Sequence, residues 1–159
     1  MSDQKLSGFV IRVYVLILND AGEVLVSDEF QLDMKMAKFP GGGLEFGEGT
    51  IDCLKRELQE ECNQEIENIR HFYTTDFFQK ALFHENRQLI SIYYLATIKL
   101  PLRFYISERS FDFVEMKNGS QSFRWMKVSE INPEEFTFPI DKHVAHLLKE
   151  HLKTNAENY

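Results

Sequence analysis

The segment Phe9–Leu18 (FVIRVYVLIL) constrains the fold more than any other part of the sequence. It is rich in β-branched and aromatic residues and is almost continuously apolar. Strands exposed on one face alternate apolar and polar side chains, whereas a nearly unbroken apolar run is typical of a strand buried on both faces. The segment therefore predicts a central strand with packed layers on either side.

Two helical segments could supply these layers. The segment 50–62 has an apolar stripe formed by Ile51, Leu54 and Leu58. The segment 141–153 has a second apolar side, formed by Val144, Leu147, Leu148 and Leu152. Asn132 followed by Pro133 and two acidic residues has the order of an N-cap and first turn, which predicts a short helix at 132–135.

Further strands are predicted at 23–27, 70–79, 89–100 and 122–128. The turn residues 19–22 indicate that 23–27 returns as a hairpin against the first strand, and the polar stretch 28–38 predicts a loop. Strands on both sides of helices predict an α/β (α+β) fold, with a central mixed sheet packed between helices. The length of 159 residues predicts a single domain over residues 1–159.

The net charge of −7 is concentrated in one segment. Between Gly41 and Glu67 there are eight acidic and two basic residues, while the rest of the chain is nearly balanced. A protein that binds a nucleic-acid polymer shows the opposite, a basic face. The charge therefore argues against such a partner, and it predicts that an anionic substrate binds together with metal cations.

Targeting signals are absent from the sequence pattern. No apolar run approaches the length needed to span a bilayer, and the N-terminus MSDQKLSG lacks a basic segment followed by an apolar one. Cys53 and Cys62 lie nine residues apart in the predicted helix, on opposite sides of it, so they cannot pair and are expected to be small buried hydrophobes. These features predict a cytoplasmic protein without a membrane partner.

The helix 50–62 also carries an unusual set of charges. Glu57, Glu60 and Glu61 are spaced i, i+3 and i+4, so all three carboxylates project from one face, and Arg56 lies beside Glu60. Like charges at this spacing, in the half of a helix that disfavours anions, oppose helix formation. The arrangement makes physical sense if a divalent cation neutralises it, and oxygen ligands suit Mg²⁺ or Mn²⁺.

The loop before this helix completes the pattern. Three successive glycines, Gly41 to Gly43, let a backbone carbonyl approach a metal or ligand closely, and Glu48 follows within reach of the same site. Such a cluster could hold two or three ions that bridge a diphosphate and activate a water molecule.

The combined pattern resembles the signature of the Nudix hydrolases. The matching residues are Gly42, Glu48 after five residues, and Arg56-Glu57-Leu58-x-Glu60-Glu61 after seven more, within the box 41–63. Two positions depart, because the last glycine of the box is Asn63 and the apolar residue after it is Gln64. Asn tolerates the left-handed conformation at a helix end, and we expect Ile66 to take the apolar contact.

The resemblance implies a Nudix-like α/β/α sandwich and a set of roles. Glu57 and Glu61 would be the principal Mg²⁺ ligands, with Mn²⁺ as a substitute, and Glu60, Glu48 and the Gly41 carbonyl would complete the shells. Catalysis would depend on Glu57, Glu60 and Arg56, with Arg56 orienting the glutamates. The general base stays open among Glu60, Glu85, Glu108 and Glu115.

The implied reaction is hydrolysis of a nucleoside diphosphate linked to another group, most simply a nucleoside triphosphate or modified nucleotide. The alternatives are a nucleotide-sugar or ADP-ribose pyrophosphatase, a non-catalytic nucleotide sensor, and an isomerase of isoprenoid diphosphates. By analogy with the family, we also expect a homodimer. Two further sets of residues are expected to be structural: the aromatics Phe72, Tyr73, Phe77, Phe78 and Phe83 as core, and the histidines His143, His146 and His151 as surface or half-buried residues.

Overall fold

The computed structural model of this protein describes residues 5–157, and the elements below are those of this range. The strands are β1 Gly8–Ile17, β2 Glu23–Gln31, β3 Met34–Lys38, β4 Gly41–Gly43, β5 Ile66–Thr74, β6 Arg87–Ile98 and β7 Ser120–Lys127. The α-helices are α1 Thr50–Cys62 and α2 Pro139–Glu157, and short 3₁₀ helices occur at Val128–Glu130 and Pro133–Glu135.

The strands form two sheets. The first has the order β4-β1-β6-β5, with β1 and β6 parallel from Gly8 paired with Arg87 to Ile17 paired with Ala96. Its other pairings are antiparallel, so the sheet is mixed, as predicted. The second sheet, β3-β2-β7, is antiparallel. The α/β class with a mixed sheet is confirmed, and the structure adds that the strands divide between two sheets.

Strand β1 is the centre of the fold, as its sequence predicts, but its burial on both faces is confirmed only for Val13 to Ile17; in its first half, Phe9 is 61% exposed and Ile11 is 36% exposed. Val13, Val15 and Ile17 pack into a cluster with Cys53, Leu54 and Leu58 of α1. The intervening Tyr14 and Leu16 belong to a second cluster that includes Val144, Ala145 and Leu148 of α2. Because successive side chains of a strand point to opposite faces, β1 has one helix on each side. The three layers are those of an α/β/α sandwich.

One member of the predicted stripe on α1 is not part of the core. Leu54 and Leu58 are fully buried, but Ile51 in the first turn is 40% exposed. The buried face of α1 instead includes Cys53, which agrees with the expectation that the cysteines behave as small hydrophobes. Neither Cys53 nor the half-buried Cys62 is in a disulfide, and burial raises the pKa of both thiols to about 12.

The predicted hairpin between the first two strands is wrong. The turn at 19–22 forms, but β2 continues into the second sheet, and a single bridge, Leu18 to Val24, joins it to the end of β1 within residues 5–157. The reason is that both edges of β1 are already paired, one with β4 and the other with β6. The strand that follows the turn must therefore leave the first sheet.

The predicted loop 28–38 is also wrong, because this segment is a second hairpin. Strand β2 runs on to Gln31, and β3 pairs with it antiparallel from Gln31–Met34 to Ser27–Lys38. Leu32 and Asp33 make the turn, both with positive φ, 50° and 58°. Two-residue hairpin turns need this conformation, but Asn-Gly or Asp-Gly is its usual sequence signal, and Leu-Asp gives none.

Several local predictions are confirmed. Helix α1 ends as expected, with Asn63 in the left-handed conformation (φ 53°). The Asn132 side chain accepts a hydrogen bond from the Glu134 amide at 3.1 Å and starts the short helix. Ile66 is buried, and the polar side chain of Gln64 beside it is fully buried and satisfied. The Gln64 amide donates to backbone carbonyls of Glu65 and Lys99, and its oxygen accepts from the Arg103 amide.

The long segment between β6 and β7, residues 99–119, is fastened to the second sheet by a buried ion pair. Asp28 on β2 has no exposed surface and accepts from Arg124 on β7, with Arg124 Nε to Asp28 Oδ2 at 2.7 Å. The same carboxylate oxygen accepts from the Phe111 amide at 3.0 Å. A single buried carboxylate therefore joins the two strands to the middle of the segment.

No helix among residues 5–157 combines the length and the apolar character needed to cross a membrane. The expectation that the chain carries no signal peptide rests partly on residues 1–4, which lie outside the described residues. The histidines of α2 occupy the expected positions. His143 packs edge-on against Tyr73 and Phe77, His151 against Phe72, and His146 is exposed.

A buried acid in this fold predicts a pH-dependent stability. Asp141 at the start of α2 is 2% exposed and accepts from the Tyr93 hydroxyl at 2.6 Å. Burial raises the pKa of Asp141 to about 6, against the opposing effects of the Tyr93 hydrogen bond and of Lys38 and Arg12. Between an ordinary pKa near 3.8 and about 6, the folded protein holds a proton that the unfolded chain has lost. Stability therefore falls as pH rises through this window.

We expect Asp141→Asn to remove this fall, since an amide oxygen can still accept from Tyr93 and carries no charge. At pH 8 the variant should exceed the wild type in free energy of unfolding by about 1–3 kcal/mol, and at pH 4 the two should be equal. Urea unfolding across pH 4–8 measures the difference. Parallel pH profiles of the two proteins would contradict the prediction.

Candidate active site

Arg56 on α1 organises the charged face of the helix. Its Nε and Nη2 atoms donate to the two Glu48 oxygens at 2.9 and 2.6 Å, a two-point contact. Its Nη1 atom donates to Glu57 at 3.0 Å and to Glu60 at 3.3 Å. Nη2 also donates to the Gly43 carbonyl at 3.0 Å. One guanidinium thus joins helix, preceding loop and strand β4.

This network changes the ionisation of its members. Hydrogen bonds from Arg56 lower the pKa of Glu48 to about 2, helped by a bond from the Glu45 amide. The same carboxylate, followed by Glu57, raises the pKa of Arg56. Both groups are therefore charged at neutral pH, and both oxygens of Glu48 are bonded to Arg56.

The predicted ligand residues divide into two groups. Glu57 and Glu61 line a polar cleft of about 330 Å³ together with the backbone of Gly41, Gly42 and Gly43. The lining also includes Gly119, Ser120 and Gln121 at the start of β7. Glu48 and Glu60 do not line this cleft, and the Glu60 side chain is 60% exposed. Within residues 5–157, no three Asp, Glu, His or Cys side chains already stand together as a metal site.

Glu61 is the most perturbed of the acids in the cleft. Its Oε2 atom is buried and has no hydrogen-bond partner in the part of the chain described. Burial raises the pKa of Glu61 to about 8; the nearby carboxylates of Glu29 and Glu57 add to the rise, while Lys38 opposes it. An unpartnered carboxylate oxygen in the same cleft as a second carboxylate, Glu57, is the kind of oxygen donor that hard divalent cations prefer.

Two of the three glycines are required by the geometry, for different reasons. Gly41 has φ +147°, and a Cβ there would lie 2.1 Å from the Val13 carbonyl oxygen. At Gly42, a Cβ would lie 2.3 Å from the carboxylate carbon of Glu57. Gly41 is therefore needed for the backbone path, and Gly42 is needed for the position of the Glu57 carboxylate.

Two charged side chains that line the cleft, Lys38 and Glu29, were not predicted from the sequence. Lys38 and Glu29 form an ion pair at 3.2 Å, with both side chains nearly buried. The Glu29 oxygen Oε1 also accepts from Gln121 at 3.1 Å and from the Ser27 hydroxyl at 3.2 Å. Both residues fall in the segment 28–38, which was predicted to be a loop, whereas the structure has Glu29 on β2 and Lys38 on β3. The apolar–polar alternation of Met34, Lys35 and Met36 was the available signal of a strand.

An apolar cavity of about 320 Å³ adjoins the cleft, and the two share Arg12, Glu29, Gln31 and Lys38. Its walls include the apolar side chains Met36, Leu82, Phe83, Leu89, Tyr93, Phe138 and Ile140. The expectation of an aromatic core is therefore wrong for part of the set. Phe83 lines this cavity and is 52% exposed, and Phe77 and Phe78 are also exposed, because β5 ends at Thr74 and leaves them in a loop.

The four candidate general bases lie outside the cleft. Glu60, Glu85, Glu108 and Glu115 are all exposed, and none belongs to its lining. Glu115 is connected to the rim, because its backbone carbonyl accepts from the hydroxyl of Ser120 at 2.6 Å. The structure thus leaves the general base open, although the loop of Glu115 is bonded to the cleft lining at Ser120.

Comparison with known proteins agrees with this geometry. The family model described as NUDIX domain matches residues 8–147. An RNA pyrophosphohydrolase of Ruthia magnifica subsp. Calyptogena magnifica is 37% identical over 62 residues, which are 39% of this chain and 34% of that protein. The match thus spans about a third of this curated relative.

Solved structures show the same fold. A MutT structure from work on Aliivibrio salmonicida and Vibrio cholerae aligns with a TM-score of 0.64 and 18% identity, over 91% of this chain and 99% of that one. A NUDIX hydrolase from Nitrosomonas europaea aligns with a TM-score of 0.65 and 16% identity, over 91% and 90%.

The chain belongs to the NUDIX family. The family resemblance carried by the box 41–63 is confirmed.

The glycine geometry gives a matched pair of variants. We expect Gly42→Ala to fold with nearly wild-type stability, because the new methyl group meets only the movable end of Glu57, but to bind Mn²⁺ at least about tenfold more weakly. Gly41→Ala should instead lower the free energy of unfolding by about 2 kcal/mol or more, because the clash is with backbone at a positive φ. Thermal unfolding and Mn²⁺ titration separate the two effects. Equal metal affinity in Gly42→Ala and wild type would contradict the role given to Gly42.

Proposed function

We propose that this protein hydrolyses a nucleoside diphosphate linked to another group, with Mg²⁺ or Mn²⁺ as its cofactor. A nucleoside triphosphate or a modified nucleotide is the preferred substrate. In this proposal residues 1–159 act as one domain, as a cytoplasmic enzyme and as a homodimer. A small-molecule nucleotide is the partner that the site accommodates.

The observation that carries the proposal is the pair of adjoining spaces. The polar cleft has the volume and the acidic and backbone groups to hold a metal-bound diphosphate, and the apolar cavity suits a flat organic group such as a nucleobase. The two spaces meet at Arg12, Glu29, Gln31 and Lys38. One ligand with a charged end and an apolar end therefore fills both.

The residues of the cleft fit a divalent cation. Glu57, Glu61 and the Gly41 carbonyl would hold it, and the unpartnered Glu61 oxygen gives a physical reason for its presence. Glu48 and Glu60, the other expected ligands, would have to leave Arg56 or turn inward to join the shell. A bound ion would neutralise diphosphate oxygens and make a water molecule more acidic.

The protein's own groups have distinct tasks in this proposal. Arg56 holds Glu57 and Glu60 in place and keeps their mutual repulsion low. A carboxylate near the rim, Glu115 or Glu60 in preference to Glu85 and Glu108, takes the proton of the attacking water. The buried Lys38 contributes positive charge where the two spaces meet, balanced by Glu29.

The partial relative named RNA pyrophosphohydrolase suggests a second substrate class. The net charge of −7 opposes a polymer of phosphates, and the only Lys or Arg residues lining the cleft and cavity described are Arg12 and Lys38. These observations favour a small nucleotide. Nucleotide sugars and ADP-ribose fit the same two spaces and remain as alternative substrates, and a non-catalytic sensor is the alternative without turnover.

A hydrolysis panel tests the proposal. It contains canonical and oxidised nucleoside triphosphates, nucleotide sugars, ADP-ribose, dinucleotides and a 5′-triphosphate RNA, each with and without Mg²⁺. We expect metal-dependent release of phosphate or pyrophosphate from one class. Glu57→Gln should lose more than about 100-fold of kcat, because a ligand of the metal matters at least as much as the groups that orient ligands.

Glu67→Gln is the matched control, since Glu67 is an exposed acid on β5 outside the cleft. It should keep wild-type activity. Turnover that persists in Glu57→Gln, or that needs no metal, would refute the proposed site. Nucleotide binding without turnover in every member of the panel would favour the sensor.

A further inference from the structure

Arg12 on β1 stands where the cleft and the cavity meet, and it lines both. Its Nε atom donates to the Tyr14 hydroxyl at 2.6 Å, and its guanidinium carbon lies 5.6 Å from the centre of the Tyr14 ring. Tyr14 is itself held in the core, stacked on Tyr93 at 5.2 Å. The guanidinium is therefore fixed from one side.

The other side of the guanidinium is uncommitted. Across residues 5–157, neither terminal nitrogen of Arg12 has a hydrogen-bond acceptor, and no carboxylate forms an ion pair with it. The nearby acids are engaged elsewhere: Glu29 with Lys38 and Gln121, and Glu57 with Arg56. The terminal nitrogens of Arg12 are not among the buried unpartnered atoms of the described residues, so they reach the shared space and are free to donate to an anion there.

The position of these donors selects the anion. The metal-binding groups Glu57 and Glu61 lie in the cleft, and the apolar walls lie on the far side of the cavity. Arg12 lies between them, and its Nη1 atom is 3.9 Å from the place where a Cβ of Gly43 would lie. A planar guanidinium with two free amino groups matches two oxygens of one phosphate.

We propose that Arg12 binds the phosphate that adjoins the group held in the apolar cavity, with Tyr14 as the residue that orients it. This inference rests on the proposed function and adds to it a substrate contact outside the box 41–63. Glu57 and Glu61 would hold a divalent cation that neutralises the phosphate farther from the cavity, and Arg12 fixes the nearer one. Specificity for a phosphate next to the apolar group follows from this division.

The test compares Arg12→Gln, Arg12→Lys and the control Arg70→Gln, since Arg70 is exposed on β5 and lines neither space. The probes are AMP, GMP, CMP and UMP with Mg²⁺, followed by the nucleoside of the tightest binder, titrated by calorimetry or NMR. We expect Arg12→Gln to weaken the monophosphate about 10- to 100-fold and the nucleoside less than about threefold. The monophosphate affinity of Arg12→Lys should lie between those of the wild type and Arg12→Gln, because lysine keeps the charge and loses the planar fork.

Tyr14→Phe provides a second measurement that does not remove the arginine. It deletes the acceptor of Nε, and we expect a rise in KM of a few-fold for the substrate found in the panel, with kcat nearly unchanged and with unchanged Mn²⁺ affinity. A merely structural role of the Arg12–Tyr14 pair would change stability and metal affinity without this selective rise in KM.

The outcomes separate this inference from the proposed function. If the wild type hydrolyses a substrate of the panel and Arg12→Gln binds the monophosphate as well as the wild type does, the role of Arg12 is refuted and the proposed function stands. If Arg12→Gln weakens nucleoside and monophosphate equally, the phosphate contact is likewise refuted. If the wild type neither binds nor hydrolyses any phosphate of the panel, both are refuted.

Discussion

The charged site depends on one guanidinium. Helix α1 carries Glu57, Glu60 and Glu61 on adjacent positions in its C-terminal half, where the helix dipole and their mutual repulsion both disfavour anions. Arg56 offsets this locally, and the same side chain reaches the Gly43 carbonyl and the two oxygens of Glu48. Helix, glycine strand and intervening loop are thereby held in one arrangement, and the opening of the cleft follows from it.

The charged face of α1 and the layers around β1 could be predicted from the sequence, because they depend mainly on contacts between residues close in sequence. The spacing of Arg56, Glu57 and Glu60 along one helix sets which side chains meet, and the predicted bounds 50–62 agree with α1. The nearly continuous apolar run of β1 predicted helices on both faces, and Val13 to Ile17 are indeed buried on both. Asn63 could replace a glycine because only its backbone conformation mattered.

The features that were not predicted depend on pairings between segments distant in sequence. Local sequence patterns carry no information about such pairings. Leu18 and Val24 look like the ends of a hairpin, yet neighbours from elsewhere in the chain occupy both edges of β1. Leu32 and Asp33 form a turn with positive φ angles, and neither residue type is a usual sequence signal for such a turn. The apolar cavity and the Lys38–Glu29 ion pair depend on that hairpin. Because the hairpin was not predicted from the sequence, neither of them could be.

The buried carboxylate of Asp28 has a consequence for how such a site can diversify. The Asp28 carboxylate holds the segment 99–119 in place at Phe111. Eight residues further on, the chain reaches Gly119 to Gln121, which line the cleft. Residues 112–118 thus form a short span fixed at both ends to rigid elements. Changes of length or composition there alter the wall of the cleft while the core and the charged helix stay as they are. We therefore expect changes in this span to alter what the cleft binds with little effect on folding.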